Sequence, residues 1–194
     1  PVATAPVEAP PPEVTWPDEP FRATRPAAGA VAELKLPQIE RFKLDNGLEV
    51  YLVRNDRLPT VLMNFEFDFG AVSDPKGQVG LHSLCMDLLD EGTARLDKVA
   101  FEEKQADHAV SVGAFAGSDT ASLTVRSLKR ELPAALDLLA EMVREPGLRP
   151  ADFDRLKERR KASILQSKAS PASIAGRVSG ALLWGEGHPY GRFE

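Results

Sequence analysis

The sequence has few of the residues that metal sites and covalent cross-links need. Its 194 residues include one cysteine and three histidines. A single cysteine, Cys85, cannot form a disulfide within the chain and cannot supply a multi-thiolate zinc site. Any imidazole-based metal site must therefore draw on His82, His108 or His188.

An excess of basic charge and long apolar runs are also absent. The chain carries 24 Lys and Arg against 29 Asp and Glu, a net charge of −5, whereas nucleic-acid binders show a basic stripe. No apolar run approaches the ~18–20 residues of a membrane-spanning helix. With 43% hydrophobic and 27% charged residues, most of the chain can form one globular core.

Proline is concentrated at the beginning of the chain. Residues 1–37 contain nine of the sixteen prolines and show no hydrophobic periodicity. Such composition favours extended, polyproline-like conformations, so we predict a disordered Pro/Ala-rich tail or linker over 1–37 and a domain over 38–194. A tether from an envelope anchor and a leader without a role both fit this tail.

The domain region shows strands and helices in blocks. Asp45-Asn46-Gly47 between two alternating runs predicts a β-hairpin. The order β-β-β-α-α-β-β-α-α-α predicts an α+β fold with a mostly antiparallel sheet and helices packed on one face. Alternation predicts strands at about 42–44, 48–53, 60–69, 111–116 and 121–127, and helical spacing predicts helices at about 80–91, 97–108, 130–144, 150–167 and 172–184.

Several segments, in this order and spacing, resemble one peptidase family. They are FKLDNGLEVYLVRN at 42–55, the Gly80-Leu81 and Gly92-Thr93 pairs, AGSDTASLTVRSL at 116–128, and GHPYGR at 187–192. Together they are similar to the insulinase/pitrilysin/mitochondrial-processing-peptidase family of zinc peptidases, the inverzincins. The resemblance covers roughly residues 40–194 and implies the first domain of such a protein.

The resemblance implies a zinc motif that this sequence does not keep. Active members carry H-x-x-E-H on the helix after the third strand, where two His hold zinc and the Glu acts on the attacking water. Anchoring on the two Gly pairs places the first His at Ser83, the Glu at Met86 and the second His at Asp87. Starting instead at His82 puts Cys85 at the Glu position and Met86 at the second His, and that motif is also incomplete.

The third ligand of the family, a distal Glu, is missing as well. Counting back from Ser170-Pro171 places it near Ser163 or Ile164, and neither is a carboxylate. The nearest acid, Glu158, lies more than a turn away. Three oxygen donors without imidazole make a poor zinc site, and methionine cannot serve as a base. We therefore predict no catalytic residue, no metal, no cofactor and no peptidase activity.

The remaining candidates have simpler structural interpretations. We expect His82 to pack against a strand and Cys85 and Met86 to fill core. Acidic residues at the end of the same helix, among them Asp90 and Glu91, are expected to face solvent. The basic run 155–161 is expected to be a solvated helix face rather than a docking surface.

Two other histidines also have structural interpretations. His108 is expected at the surface, where a helix C-terminus favours a cation. The turn His188, Pro189, Tyr190 and Gly191 resembles a family turn that shapes a chain reversal.

A family member without zinc is expected to act as a scaffold. We predict a zinc-free domain that builds the substrate chamber or dimer interface with a zinc-bearing homologous subunit, and that contacts extended peptides, in a bacterial periplasm or envelope. The alternatives are an active zinc endopeptidase with a relocated site formed by His82, Asp87 and Glu158, and a stand-alone peptide-binding module. Since the chain ends before the strand that should complete the sheet, we expect a fragment that needs a C-terminal half.

Overall fold

The computed structural model describes residues 19–25, 27, 29, 35–185 and 187–192. It divides into two compact units, 1–54 and 55–194, which are described separately. Much of the predicted 1–37 tail lies outside the described residues, so its disorder stays a prediction; among the residues of the tail that are described, Pro20–Arg22 form a 3-10 turn. No described helix is both long and apolar enough to cross a bilayer.

The first unit contains the predicted hairpin. Strands β1 (Ile39–Lys43) and β2 (Glu49–Val53) are antiparallel, and Lys43 lies opposite Glu49. Gly47 has a φ of 89°, which glycine adopts without the strain that a Cβ would cause. The Asn46 side chain accepts a hydrogen bond from the Leu48 amide at 3.1 Å. This turn chemistry confirms the interpretation of Asp-Asn-Gly.

The second unit contains the other eight elements, in the predicted order. All its strand pairs are antiparallel, which confirms the α+β class. The strands are β3 (Thr60–Phe67), β4 (Ser111–Ala116) and β5 (Ala121–Leu128), and the helices are α1 (Leu81–Leu89), α2 (Lys98–Asp107), α3 (Leu132–Arg144), α4 (Pro150–Ser167) and α5 (Pro171–Trp184).

The central strand of the second unit defines the core. The sheet order is β3-β5-β4, and β5 buries every second residue from Ala121 to Ser127. Helix α3 presents a stripe of buried residues at helical spacing to this core. Phe101 of α2 joins the same cluster. Helices α2 and α3 therefore cover the buried face of β5, whereas α4 packs against α1.

Two glycines fix the ends of α1, the helix that the resemblance assigns to the zinc motif. Gly80 precedes the helix with a φ of 93°, and Gly92 follows it with a φ of 107°. A Cβ on Gly92 would lie 2.4 Å from the Leu96 carbonyl oxygen. Both positions require glycine for steric reasons, so these signature residues set the helix whether or not a metal is bound.

Candidate functional site

Helix α4 supplies an arginine to the predicted zinc positions on α1. The Nη2 group of Arg160 donates to the Ser83 hydroxyl at 2.8 Å and to the Asp87 carboxylate at 3.0 Å. Its Nη1 group donates to the Gly80 carbonyl at 3.3 Å. Ser83 and Asp87 are one helical turn apart, so a single guanidinium contacts both. In the register that the resemblance implies, this cation lies between the two histidine positions.

The predicted distal position, Ser163, lies at a cleft that also reaches Asp87. A cleft of about 450 Å³ lies beside α4, and Asp87 and Ser163 both line it. Met86, at the position of the catalytic Glu, is buried instead. The structure thus brings Asp87, Ser163 and Arg160 together and leaves an apolar side chain where a base would be needed. The assignment of Ser83, Met86, Asp87 and Ser163 as degenerate motif positions stays a prediction.

Zinc does not fit this set of side chains. Zinc sites use imidazole, thiolate and carboxylate donors, whereas here Ser83 and Asp87 are bound by a permanent cation. In the described ranges, no group of three or more His, Cys, Asp and Glu is arranged to hold a metal ion. The arginine is itself the cation that neutralises Asp87. These residues give no centre that activates water.

His82 is held by a buried carboxylate. Its ring Nδ1 lies 2.5 Å from an Asp74 oxygen, and its backbone amide donates to the same oxygen at 2.9 Å. The Gly80 amide donates to the other oxygen at 2.6 Å. Burial acts to raise the pKa of Asp74, but these hydrogen bonds together lower it below its ordinary value. The His82 ring also contacts Phe69, with centroids 5.4 Å apart, so it packs near the end of β3 as expected.

The expectation for the acidic end of α1 was wrong. Glu91 is 5% exposed and pairs with Arg155 of α4. The Asp90 carboxylate accepts a hydrogen bond from the Ala114 amide of β4 at 2.8 Å. Burial raises the pKa of Asp90 to about 6, against the lowering effect of that hydrogen bond and of Lys98. Both acids bind neighbouring elements, which is why they leave solvent.

The rest of α1 and the basic run also differ in part from the expectation. Cys85 is exposed, although Met86 is buried. Two of the basic residues, Arg155 and Arg160, connect α4 to α1 rather than forming a solvated face. Glu158, by contrast, is exposed and pairs with Lys161 at 2.7 Å on the same helix. The alternative site of His82, Asp87 and Glu158 is therefore not assembled.

Thr93 of the Gly92-Thr93 pair belongs to a buried hydrogen-bond network that could not be predicted from the sequence. Thr93 is completely buried; its hydroxyl donates to Glu141 of α3 at 2.7 Å and accepts from the Leu96 amide at 3.0 Å. Arg149 donates to the Thr93 carbonyl at 2.5 Å. The hydrogen bond from Thr93 is the main reason that the pKa of Glu141 is lowered. This threonine connects the loop after α1 to α3 and α4.

His188 and Tyr190 form an aromatic cluster rather than a site. The residues Pro189–Gly191 form a 3-10 turn, and His188 Nδ1 accepts from the Tyr190 amide at 3.2 Å. Trp184 stacks on His188 with centroids 5.2 Å apart. The Tyr190 hydroxyl donates to Asp119 in the β4–β5 turn, which raises the pKa of the tyrosine. These contacts agree with the predicted chain reversal.

The other histidine is also engaged. His108 follows α2 directly, and its Nδ1 lies 3.0 Å from a carboxylate oxygen of Glu131. Its side chain is 40% exposed, so it is partly exposed at the helix C-terminus as expected. None of the three histidines faces another.

The fold is an α+β domain in which an ion pair between Asp87 and Arg160 connects α1 and α4. The sequence profile of the insulinase family, peptidase family M16, matches residues 49–179. The chain belongs to this family. Because its sequence contains no H-x-x-E-H in either register, it is a non-catalytic domain of the family.

The relatives agree with this assignment. The non-peptidase homolog YmxG of Helicobacter pylori is 26% identical over 115 residues, which are 59% of this chain and 27% of that protein. A crystal structure of a peptidase M16 inactive domain from Pseudomonas fluorescens is 26% identical, with a TM-score of 0.73, over 80% of this chain and 38% of that one. Pitrilysin, at 22% identity and a TM-score of 0.65, covers 82% of this chain and 17% of its own and shares the fold. The chain thus spans well under half the length of each.

Proposed function

We propose that this domain is a structural part of a peptidase assembly: it forms a wall of the substrate chamber, or the subunit interface, beside a zinc-bearing homologous subunit. The observation that carries the proposal is the contact of Arg160 with Ser83 and Asp87. It keeps α1 and α4 together without a metal, so the scaffold persists although the chemistry is gone. A domain of this kind contributes surface rather than catalysis.

The names of the relatives support this role. YmxG is called a non-peptidase homolog, and the Pseudomonas structure is called an inactive domain. Both matches come from proteins longer than this chain, so a second half and a partner subunit are part of the proposal. Extended peptides are the ligands that such a chamber would contact.

Helix α5 supports a further protein contact. None of its described side chains is buried, and Leu182 and Leu183 are 80% and 78% exposed. Val178 lies one turn before Leu182 and is also exposed. Adjacent exposed apolar residues are typical of surface that another protein segment covers. A homologous subunit or the second half of the protein would bury this helix.

The test uses the 194-residue chain and the zinc-bearing homologues of its own organism. After dialysis against trace zinc, mass spectrometry is expected to find no stoichiometric zinc, and the chain alone is expected to cleave no peptide. An affinity-tagged chain is expected to capture a homologue that carries H-x-x-E-H and to form a peptidase of defined stoichiometry with it. One zinc per chain, or cleavage by the chain alone, would overturn the proposal.

A stand-alone peptide-binding module is the second candidate. Strands β3 and β4 are the edges of the described three-stranded sheet, and an exposed edge can pair with an extended peptide. In that case the isolated monomer would bind peptides through backbone hydrogen bonds and no homologue would co-purify. Analytical ultracentrifugation with and without the captured homologue separates the two candidates.

We also propose a place for the protein, the periplasm or envelope of a bacterium. The support is the composition of the Pro/Ala-rich segment, which suits a tether. Fractionation of cells that express the full-length protein, with a periplasmic and a cytoplasmic marker enzyme as controls, tests this. Recovery with the cytoplasmic marker would refute it.

A further inference from the structure

The cleft beside α4 is basic in an acidic protein. Three arginines line it, Arg159, Arg160 and Arg177, against a single carboxylate, Asp87. Their formal charges sum to about +2, whereas the whole chain carries −5. A concave surface with one sign of charge attracts ligands of the other sign. The cleft is therefore suited to an anion rather than to the cation that an active family member would hold at the neighbouring positions.

The two arginines of α4 are not equivalent. Arg160 is already bound to Asp87 and Ser83, so it contributes charge but has donors in use. Arg159, the next residue on the helix, is exposed and makes no hydrogen bond or ion pair with any residue that the structure describes. A guanidinium presents a planar fork of N–H donors that matches a carboxylate with two parallel hydrogen bonds. Arg159 is the residue available for that contact.

The size and the lining of the cleft indicate what carries the anion. A volume of about 450 Å³ falls in the range of organic-ligand sites and is far larger than a bare inorganic ion needs. Leu156 and Ile164 add an apolar part to the lining, and Ser163 adds a hydroxyl. An apolar wall next to a guanidinium suits a carboxylate that is attached to a carbon chain.

We propose that this cleft binds a carboxylate group of an extended peptide, with Arg159 as the principal contact. That the carboxylate belongs to a peptide rests on the proposed function as chamber wall. The carboxylate itself has two possible sources, the C-terminus of the peptide or an acidic side chain. Either would place a charged group of the peptide beside α4, next to the predicted motif positions on α1.

The experiment measures binding of unlabelled decapeptides to the 194-residue chain by isothermal titration calorimetry, so that no dye adds a carboxylate. Four versions of one sequence combine a free or amidated C-terminus with an internal Glu or Gln. The native chain is expected to bind the versions with a carboxylate, and Arg159→Ala is expected to weaken that binding by about tenfold or more. Raising the salt concentration is expected to weaken the binding of these peptides to the native chain, because salt screens the attraction between the charges.

Lys157→Ala is the matched control. Lys157 is a cation on the same helix, but it lies 5.9 Å from the centre of the Phe153 ring and does not line the cleft. The Lys157→Ala variant is expected to bind the four peptides with the same affinities as the native chain. Equal binding of all four peptides, or equal loss in the two variants, would overturn the inference. Binding of inorganic phosphate in the same measurement, with no binding of any of the four peptides, would also overturn the assignment to a carboxylate.

The failure of this inference is separable from that of the proposed function. Arg159→Ala is expected to capture the zinc-bearing homologue as well as the native chain does. If the homologue is captured but no peptide carboxylate binds, the cleft assignment is wrong and the scaffold role stands. If no homologue is captured, the scaffold role fails whatever the cleft binds.

Discussion

The guanidinium of Arg160 lies 3.0 Å from the carboxylate of Asp87, although the two residues are 73 positions apart in the sequence. The same guanidinium contacts Ser83, so one side chain joins the middle of α4 to one face of α1. In the register that the resemblance implies, these are positions where an active family member would bind its metal. In this chain an ion pair of ordinary side chains connects the two helices there.

Removal of Arg160 is expected to destabilise the domain. Arg160→Ala leaves Asp87 without its cation and removes one of the two donors to the Gly80 carbonyl, which still accepts from the Leu84 amide, so the free energy of unfolding should fall by about 1–2 kcal/mol. Arg159→Ala is the control; it should change stability by less than about 0.5 kcal/mol, because Arg159 is an exposed surface residue. Urea unfolding followed by circular dichroism measures both. Equal stability of the two variants would show that the ion pair contributes nothing.

The register of the lost motif can be tested by restoring its histidines. The double variant Ser83→His, Asp87→His should bind zinc weakly, because the Arg160 cation remains beside the new site. Adding Arg160→Ala should tighten zinc binding by about tenfold or more, because the guanidinium cation repels the divalent zinc ion. Zinc titration with a competing chromophoric chelator gives the affinities.

The other register provides the control for that experiment. Met86→His pairs the new residue with the native His82 at helical i,i+4 spacing. It should bind no zinc, because position 86 is buried and a histidine there is not available to a metal that His82 could also reach. Tighter zinc binding by this variant than by the triple variant would show that the motif begins at His82 instead of Ser83.

The sequence predicted the ten elements and their order because each depends on neighbours along the chain. Alternation defines β5, helical spacing defines α3, and Asp45-Asn46-Gly47 defines the hairpin. The predicted bounds differ from the observed ones by two residues at most, except at the start of β1, where the difference is three. Capping and turn chemistry act within a few residues, so one sequence contains enough information to locate them.

The contacts between α1 and α4 could not be predicted in the same way. Arg155 and Arg160 could face solvent or pair with acids near α1. The outcome depends on how the two helices pack, and a local sequence pattern contains no information about that packing. The charges of the basic run therefore suggested a solvated face. Thr93 was noticed only as part of a signature pair, and its hydrogen bond to Glu141 joins residues 48 positions apart.

Because the pKa of Asp90 is raised in the folded state, the ionised form of this residue is expected to lower the free energy of unfolding at neutral pH. Its ordinary value is 3.8 and its folded value about 6, so the folded state binds the extra proton between these values and stability falls as pH rises through that window. Asp90→Asn mimics the protonated form and still accepts from Ala114. It should be more stable than the native chain by about 1–2 kcal/mol at pH 7.5, and this difference should fall to roughly half at pH 5 and to near zero below about pH 4. Urea unfolding at these pH values checks this, and an equal difference at all of them would contradict it.

The hydroxyl of Thr93 is expected to matter more than its methyl group. Thr93→Val removes the donor to Glu141 and the acceptor for the Leu96 amide, both in a buried place, and should cost about 2–4 kcal/mol. Thr93→Ser keeps the hydroxyl, loses one methyl, and should cost about 1 kcal/mol. Thermal and urea unfolding at pH 7 compare them. A smaller loss in the valine variant than in the serine variant would show that packing of the methyl dominates.

The same pair of variants has a distinct pH dependence. Hydrogen bonding from Thr93 keeps the folded-state pKa of Glu141 below its ordinary 4.5, so it contributes stability that is present above pH 4.5 and lost as pH falls through the folded value. Thr93→Val removes the hydrogen bond to Glu141 and with it most of this pH-dependent stability. Thr93→Ser retains both. The stability difference between the two variants should therefore narrow as the pH is lowered from 6 toward 3. A difference that stays constant over this range would mean that Glu141 gains no more from the threonine hydroxyl in its ionised form than in its protonated form, and the electrostatic account of this buried network would have to be given up.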